Sequence, residues 1–201
     1  VHQLKPVLLQ ACDNTSEPRE EDHQAALFAV FGEGSCARRV RRRFELAGLA
    51  LATEAASPDF VVLVEQFVGT TTRAQSLLSN DVPHLLLRAT DRHLVLGPLV
   101  LPGGRPCLTC LELHSLEKEP SLHVLAAQLA NEIPAAATTH GIELLSESAI
   151  AVARQWQHGC TDFVGVRLIL SAVRGVPVPL PEREDLSPHP ARGCVSLSPL
   201  V

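Results

Sequence analysis

The chain has 201 residues, a net charge of −5, and no uninterrupted apolar run near the roughly 20 residues a membrane-spanning helix needs. That length suits one domain whose core stands without disulfide or metal staples. The mild acidity supplies no basic field for DNA or anionic lipid, and with no Tyr, one Trp and six Phe there is little for nucleobases to stack on.

Residues 1–24 carry short apolar patches and then an acidic, Pro-containing stretch to Asp22. They read as a linker or as the remnant of a missing N-terminal module, with the folded domain expected over 25–201. Ala25 to Phe31 is a short apolar run that predicts a buried strand. Gly32-Glu33-Gly34-Ser35 predicts a turn, with Ser35 placed to cap a helix. Cys36, Val40, Phe44 and Ala47 then recur at helical spacing, while Arg38, Arg39, Arg41, Arg42 and Arg43 fall mostly off that stripe. Further strands are expected at Leu49–Thr53, Asp59–Glu65 and Leu85–Arg88, with a helix over Thr71–Ser79. Leu94–Leu101 suggests a hairpin-like pair broken near Gly97-Pro98, and Pro102–Pro106 a loop. Leu122–Ala130 and Glu143–Gln157 predict helices, Phe163–Leu170 a late strand, and Pro177–Pro190 a proline-rich connection.

Strands and helices in alternation predict an α/β, Rossmann-like, mostly parallel sheet with helices on both faces. The stretch from Leu94 breaks the alternation and predicts an antiparallel insertion before the Cys-x-x-Cys segment. No signal peptide opens the sequence, and a cytoplasmic location is expected.

Two constellations carry chemistry. In the first, Gly32 and Gly34 lie between a strand and a helix, where a tight turn and free N–H groups receive a phosphate. The same turn also occurs in α/β folds that bind nothing. Glu54 stands where a ribose-binding acid belongs, and an exposed loop glutamate fits that position equally well. ATP would further need cations for its phosphates and a carboxylate for magnesium, with Asp59 the other acid in reach. In the second, Cys107 and Cys110 have the spacing that lets one turn offer two thiolates to zinc. Cys194 and His189, near the end of the chain, are the further ligands weighed, with His114 and Cys160 as alternatives. A redox dithiol or two inert cysteines remain alternatives to a metal. His84, His93, His123, His140 and His158 have no partner evident in the sequence. No Gly-x-Ser-x-Gly elbow supports a hydrolase.

The order Gly32-x-Gly34, Asp59–Val64, Val82-Pro83-His84-Leu85-Leu86-Leu87, then Gly97 through Pro106-Cys107-Leu108-Thr109-Cys110-Leu111, resembles the ThiF-like adenylyltransferases related to ubiquitin-activating enzymes. Gly97 to His114, the helix around Leu125-Ala126-Ala127-Gln128-Leu129, and the ending His189-Pro190 before Gly193-Cys194 are similar to one branch. Its members are the cyclodehydratase-associated, leader-peptide-binding proteins of thiazole/oxazole-modified peptide biosynthesis. The resemblance spans about residues 25–195. It implies zinc held by Cys107, Cys110 and Cys194, a peptide or protein partner, and a homodimer. Two departures qualify it. Arg192 occupies the place of a ligand cysteine, leaving the zinc set a thiolate short unless a residue such as His189 substitutes. The polar and basic residues that grip ATP in active members are missing: Lys5 and Lys118 are the chain's lysines. The expectation is therefore a non-catalytic partner protein. An active ATP-dependent adenylyltransferase and an NAD-type oxidoreductase are the alternatives.

Overall fold

The computed structural model describes residues 26–53, 56–69, 71–129, 132–178 and 180–191. Strand β1 (Phe28–Phe31) leads through the glycine turn into helix α1 (Gly34–Leu46). Cys36, Ala37, Val40 and Phe44 form the buried stripe of α1. The helix stops where Gly48 takes a φ of 76°. Gly48 N–H then reaches the Glu45 carbonyl at 3.0 Å, and Leu49 N–H the Phe44 carbonyl at 3.2 Å, satisfying the last turn. The strand expected at Leu49–Thr53 shrinks to one parallel bridge, Leu51 to Phe28.

Strand β2 (Phe60–Gln66) pairs parallel with β1 on its other side, so the direction of strand addition reverses at β1. Ligands of open α/β sheets lie beyond the carboxyl ends of the strands at such a reversal. Helix α2 (Thr71–Ser79) crosses to β3 (His84–Ala89), which is parallel to β2. Strand β4 (His93–Val100) then pairs antiparallel with β3. It is one continuous strand through Gly97-Pro98, not the broken pair the sequence suggested, and its hairpin partner is β3. After helices α3 (Leu108–Lys118), α4 (Leu122–Leu129) and α5 (Thr139–Gln157), strand β5 (Val166–Val173) returns antiparallel to β4. The proline-rich connection holds two further strands, β6 (Val176–Pro177) and β7 (Glu182–Asp185), both antiparallel to β5.

Helix α3 is not among the elements expected from the sequence, because its first turns bury five residues in succession and show no helical stripe. Helix α5 begins four residues before the expected start, where Thr138 accepts the Gly141 N–H at 3.1 Å and caps it. The result is the expected α/β sheet, parallel over β1–β3 and antiparallel beyond, covered on both faces. On one face Phe60, Val62, Leu85 and Leu87 meet α1 and α5. On the other, Val61, Leu63 and Leu86 meet Ala74 and Leu77 of α2 and Leu108 and Leu111 of α3. No helix among the described residues is long and apolar enough to cross a membrane.

His84 opens β3 fully buried. Its Nδ1 lies 2.9 Å from the Val82 carbonyl, an acceptor, so Nδ1 carries the proton. Nε2 is buried without a hydrogen-bond partner. Burial therefore pushes the imidazole pKa below its ordinary value, opposed only in part by the Val82 bond. The unfolded chain binds this proton near pH 6.5 while the folded chain still refuses it. Stability from this group is present above that pH and lost as pH falls toward the folded pKa. Urea unfolding at stepped pH should show wild-type stability falling below about pH 6.5, at no more than about 1.4 kcal/mol per pH unit from this group. Subtracting the profile of His84→Leu isolates the contribution; identical slopes in the two proteins would refute it.

Candidate functional site

The chemistry-bearing groups collect at the carboxyl ends of β1, β2 and β3 and along α3. At the glycine turn a Cβ on Gly32 would lie 2.5 Å from the Val64 carbonyl oxygen of β2, so the close approach of the two strands demands glycine. Gly34 takes a φ of 73°. The cap of α1 is Glu33, whose side chain bonds none of the first N–H groups. Ser35 is thus inside the first turn, one correction to the sequence reading. It lines a groove of about 480 Å³ between α1 and α5, with Arg38, Arg39, Arg42, Arg43 and Leu46 of α1 and Glu143 and Ser146 of α5.

Gly32, Gly34 and Ser35 are therefore brought together. Asp59 is elsewhere: its carboxylate accepts the Leu27 N–H at 2.8 Å, at the amino end of β2. Val64, beside the turn, lies five residues further along the chain, roughly 16 Å away. Glu54 lies outside the described residues. The carboxyl end of β2 offers Gln66, whose amide nitrogen sits 3.5 Å from the Cys36 sulfur.

Several charges near this end are paired among themselves, whereas no ion pair holds Arg38 among the described residues. Arg73 holds Glu33 at 2.9 Å on the surface. Arg88, at the end of β3, donates to Glu65 at 2.8 Å and also to Glu112 of α3, with all three side chains about a tenth exposed. Burial alone would weaken the guanidinium, but Glu112 and Glu65 outweigh it and raise its pKa. Gly69 leaves room for this cluster, since a Cβ there would collide with the Glu65 carboxylate and the Arg88 guanidinium. Along α1, Arg41 donates to the Val30 carbonyl, Arg43 pairs with Glu147, Arg42 with Glu45, and Arg39 reaches Thr139. Lys118 stands 3.8 Å from Glu184.

Cys107 and Cys110 open α3, both buried, with sulfurs 3.7 Å apart. Two thiolates on one tetrahedral zinc, each about 2.3 Å from the metal, lie about 3.8 Å apart, so the pair fits that ion. Cys194 lies outside the described residues. Cys160 is disulfide-bonded. His189 is buried, and among the described residues it gathers with His114 and Glu117, not with the thiols. Sequence reasoning had named His114 and His189 but missed Glu117, Glu65, Arg88 and Glu112. The available signals were charges ending two buried strand runs, and the spacing of Cys107, Cys110, His114 and Glu117 along one helix face.

No protein-family profile matches the chain, and no curated protein sequence does either. Solved structures do resemble it. A heterocyclase in complex with substrate and cofactor superposes with a TM-score of 0.58 at 14% identity, over 84% of this chain and 24% of that one. The heterocyclase TruD matches with a TM-score of 0.56 at 16% identity, over 82% of this chain and 26% of its own. E. coli MccB matches with a TM-score of 0.55 at 11% identity, over 84% of this chain and 64% of its own. The chain thus spans about a quarter of the heterocyclases and under two thirds of MccB. At such identities the likeness is one of fold.

Two substitutions probe this region. Gly32→Ala forces a Cβ onto the Val64 carbonyl and should lower unfolding free energy by about 2–3 kcal/mol in denaturant titration. Arg88→Ala leaves two carboxylates buried without their cation and should cost about 3–5 kcal/mol, with Arg88→Ala/Glu65→Gln/Glu112→Gln recovering part of the loss. A loss under 1 kcal/mol for Arg88→Ala would show that water already reaches the cluster.

Proposed function

We propose that this chain is a ThiF-like domain that works as a binding partner in the biosynthesis of thiazole/oxazole-modified peptides. It docks a peptide substrate or a YcaO-type cyclodehydratase and leaves ATP chemistry to that partner. The observation that carries the reading is the pairing of charges at the carboxyl ends of the parallel strands: Arg88 is committed to Glu65 and Glu112, and Arg73 to Glu33. Adenylation requires cations fixed on the phosphates before the reaction begins. To serve a triphosphate, the buried cation at the strand ends, Arg88, would have to be stripped from two carboxylates. The fold shared with two heterocyclases supports the pathway.

Zinc belongs to the proposal. Cys107 and Cys110 would supply two thiolates and Cys194 a third, and such an ion contributes folding energy by tying the carboxy-terminal segment to α3. The homodimer that the resemblance implies is proposed with it.

One observation favours a second reading, an active adenylyltransferase with Gly32 and Gly34 on the phosphates: MccB, of the same fold, has been solved with ATP. Calorimetric titration with Mg-ATP and a pyrophosphate-exchange assay separate the two. No heat at millimolar ATP and no exchange, together with saturable binding of a leader peptide or a YcaO-type enzyme, are expected. ATP-dependent exchange of labelled pyrophosphate would replace the first reading with the second, and NADH binding would favour an oxidoreductase.

A further inference from the structure

We infer that His114, Glu117 and His189 form a metal site of their own, separate from the thiol pair and suited to a divalent ion of the zinc class. One ligand atom from each lies within 4.8 Å of the other two. Ligands about 2.0–2.1 Å from a tetrahedral zinc stand about 3.4 Å apart, so modest closure completes the set. The parts allow it: His189 is buried and His114 partly so, whereas the Glu117 side chain is 62% exposed and free to swing.

The hydrogen bonds argue for a cation between these groups. His114 Nε2 lies 3.1 Å from the Ser187 carbonyl, which can only accept, so that nitrogen carries the proton. Nδ1 of the neutral ring is then a bare lone pair, and it faces the Glu117 carboxylate at 3.5 Å. Two acceptors facing each other need a proton or a metal between them. A ring fixed through one nitrogen by a backbone carbonyl, with the other nitrogen free, is the arrangement of a metal-ligating histidine. His189 Nε2 meets the same carboxylate at 2.9 Å, while its Nδ1 accepts the Ala191 N–H at 3.1 Å. Coordination through Nε2 shifts the ring proton to Nδ1 and gives up the Ala191 bond. No net proton is released from a neutral ring.

His189 Nε2 and His114 Nδ1 face the two oxygens of the one Glu117 carboxylate, so the three ligand groups already converge. Two imidazoles and one carboxylate suit zinc, cobalt or nickel over magnesium or calcium. Three protein ligands leave a fourth position for water or an incoming group. The site lies one turn of α3 beyond Cys110, about 6 Å along the axis. His189 arrives from a segment 72 residues away from Glu117, so an ion here would clamp that segment onto α3. The inference does not rest on the function proposed above.

Cobalt separates this site from the thiols. The full chain carrying Cys107→Ser/Cys110→Ser is titrated with Co²⁺, with folding followed by circular dichroism. We expect one equivalent bound, giving visible bands without thiolate charge transfer, and its loss when His114→Ala/His189→Ala is added. A folded double-serine protein that binds no Co²⁺, or that keeps its equivalent without both histidines, overturns the site; a proton-bridged cluster is then all that remains. Should the serine variant not fold, His189→Ala in the otherwise native chain decides. Loss of one metal equivalent with thiolate charge transfer intact supports the site. Unchanged stoichiometry, or loss of the thiolate bands, overturns it, the latter by assigning His189 to the thiols.

Discussion

Strands β2 and β3 are buried on both faces, and that double cover decides where anything polar can stand. Phe60, Val61, Val62 and Leu63 of β2, and Leu85, Leu86 and Leu87 of β3, are each at most 2% exposed. A charge in the middle of either strand would be stripped of water on both sides, at a cost of several kcal/mol. Chemistry is thereby confined to strand ends and to helices along their rims. Glu65 and Arg88 are direct partners in the parallel register, so the pairing that buries the apolar runs also delivers this ion pair. Slipping by one residue would turn every side chain to the other face and separate the charges.

The same pair steers α3. Odd positions of β2 and even positions of β3 face α2 and α3, and Glu112 completes the cluster from that side. Breaking a buried ion pair is costly, whereas replacing the whole set with apolar groups often is not, so the cluster contributes orientation more than net stability. With Glu112 locked to Arg88, the rotation of α3 about its axis is fixed. Its cysteines then enter the core, and His114 and Glu117 point to the carboxy-terminal segment. The position of the thiols and of the histidine pair thus depends on a charge cluster that is itself no ligand.

Much of this fold was legible because buried strands leave continuous Val and Leu runs, as in Val61-Val62-Leu63-Val64, and α1 shows its stripe at Cys36, Val40 and Phe44. What escaped notice did so for physical reasons. Strand β7, Glu182–Asp185, is wholly charged and exists because it pairs with β5. Nothing in its composition announces a strand. Helix α3 buries Leu108, Thr109, Cys110, Leu111 and Glu112 in succession, so its first turns show no clean helical alternation. The cluster of Glu65, Arg88 and Glu112 joins three elements, and each charge alone resembles the end of a strand or an exposed helix position. His189 illustrates the limit from the other side: its residue type suggested a ligand, but only the folded chain shows His114 and Glu117 as its neighbours.

The glycine turn bears on how far fold reports function. Gly32 is required by the Val64 carbonyl, a contact internal to the sheet that exists with or without a nucleotide. A chain that had stopped binding phosphate would therefore still need it. The cations are different, since nothing in the packing of β1 and β2 asks for a free arginine or lysine beyond the turn. Selection for the sheet preserves the glycine, and only selection for phosphate preserves the charges. Sharing a sheet with an ATP-bound MccB thus speaks to the first kind of residue alone, and the second kind must be judged on this chain's own pairs. In those pairs Arg73 faces Glu33, and Arg88 faces Glu65 and Glu112, so each of these two cations already has a carboxylate of its own within the fold.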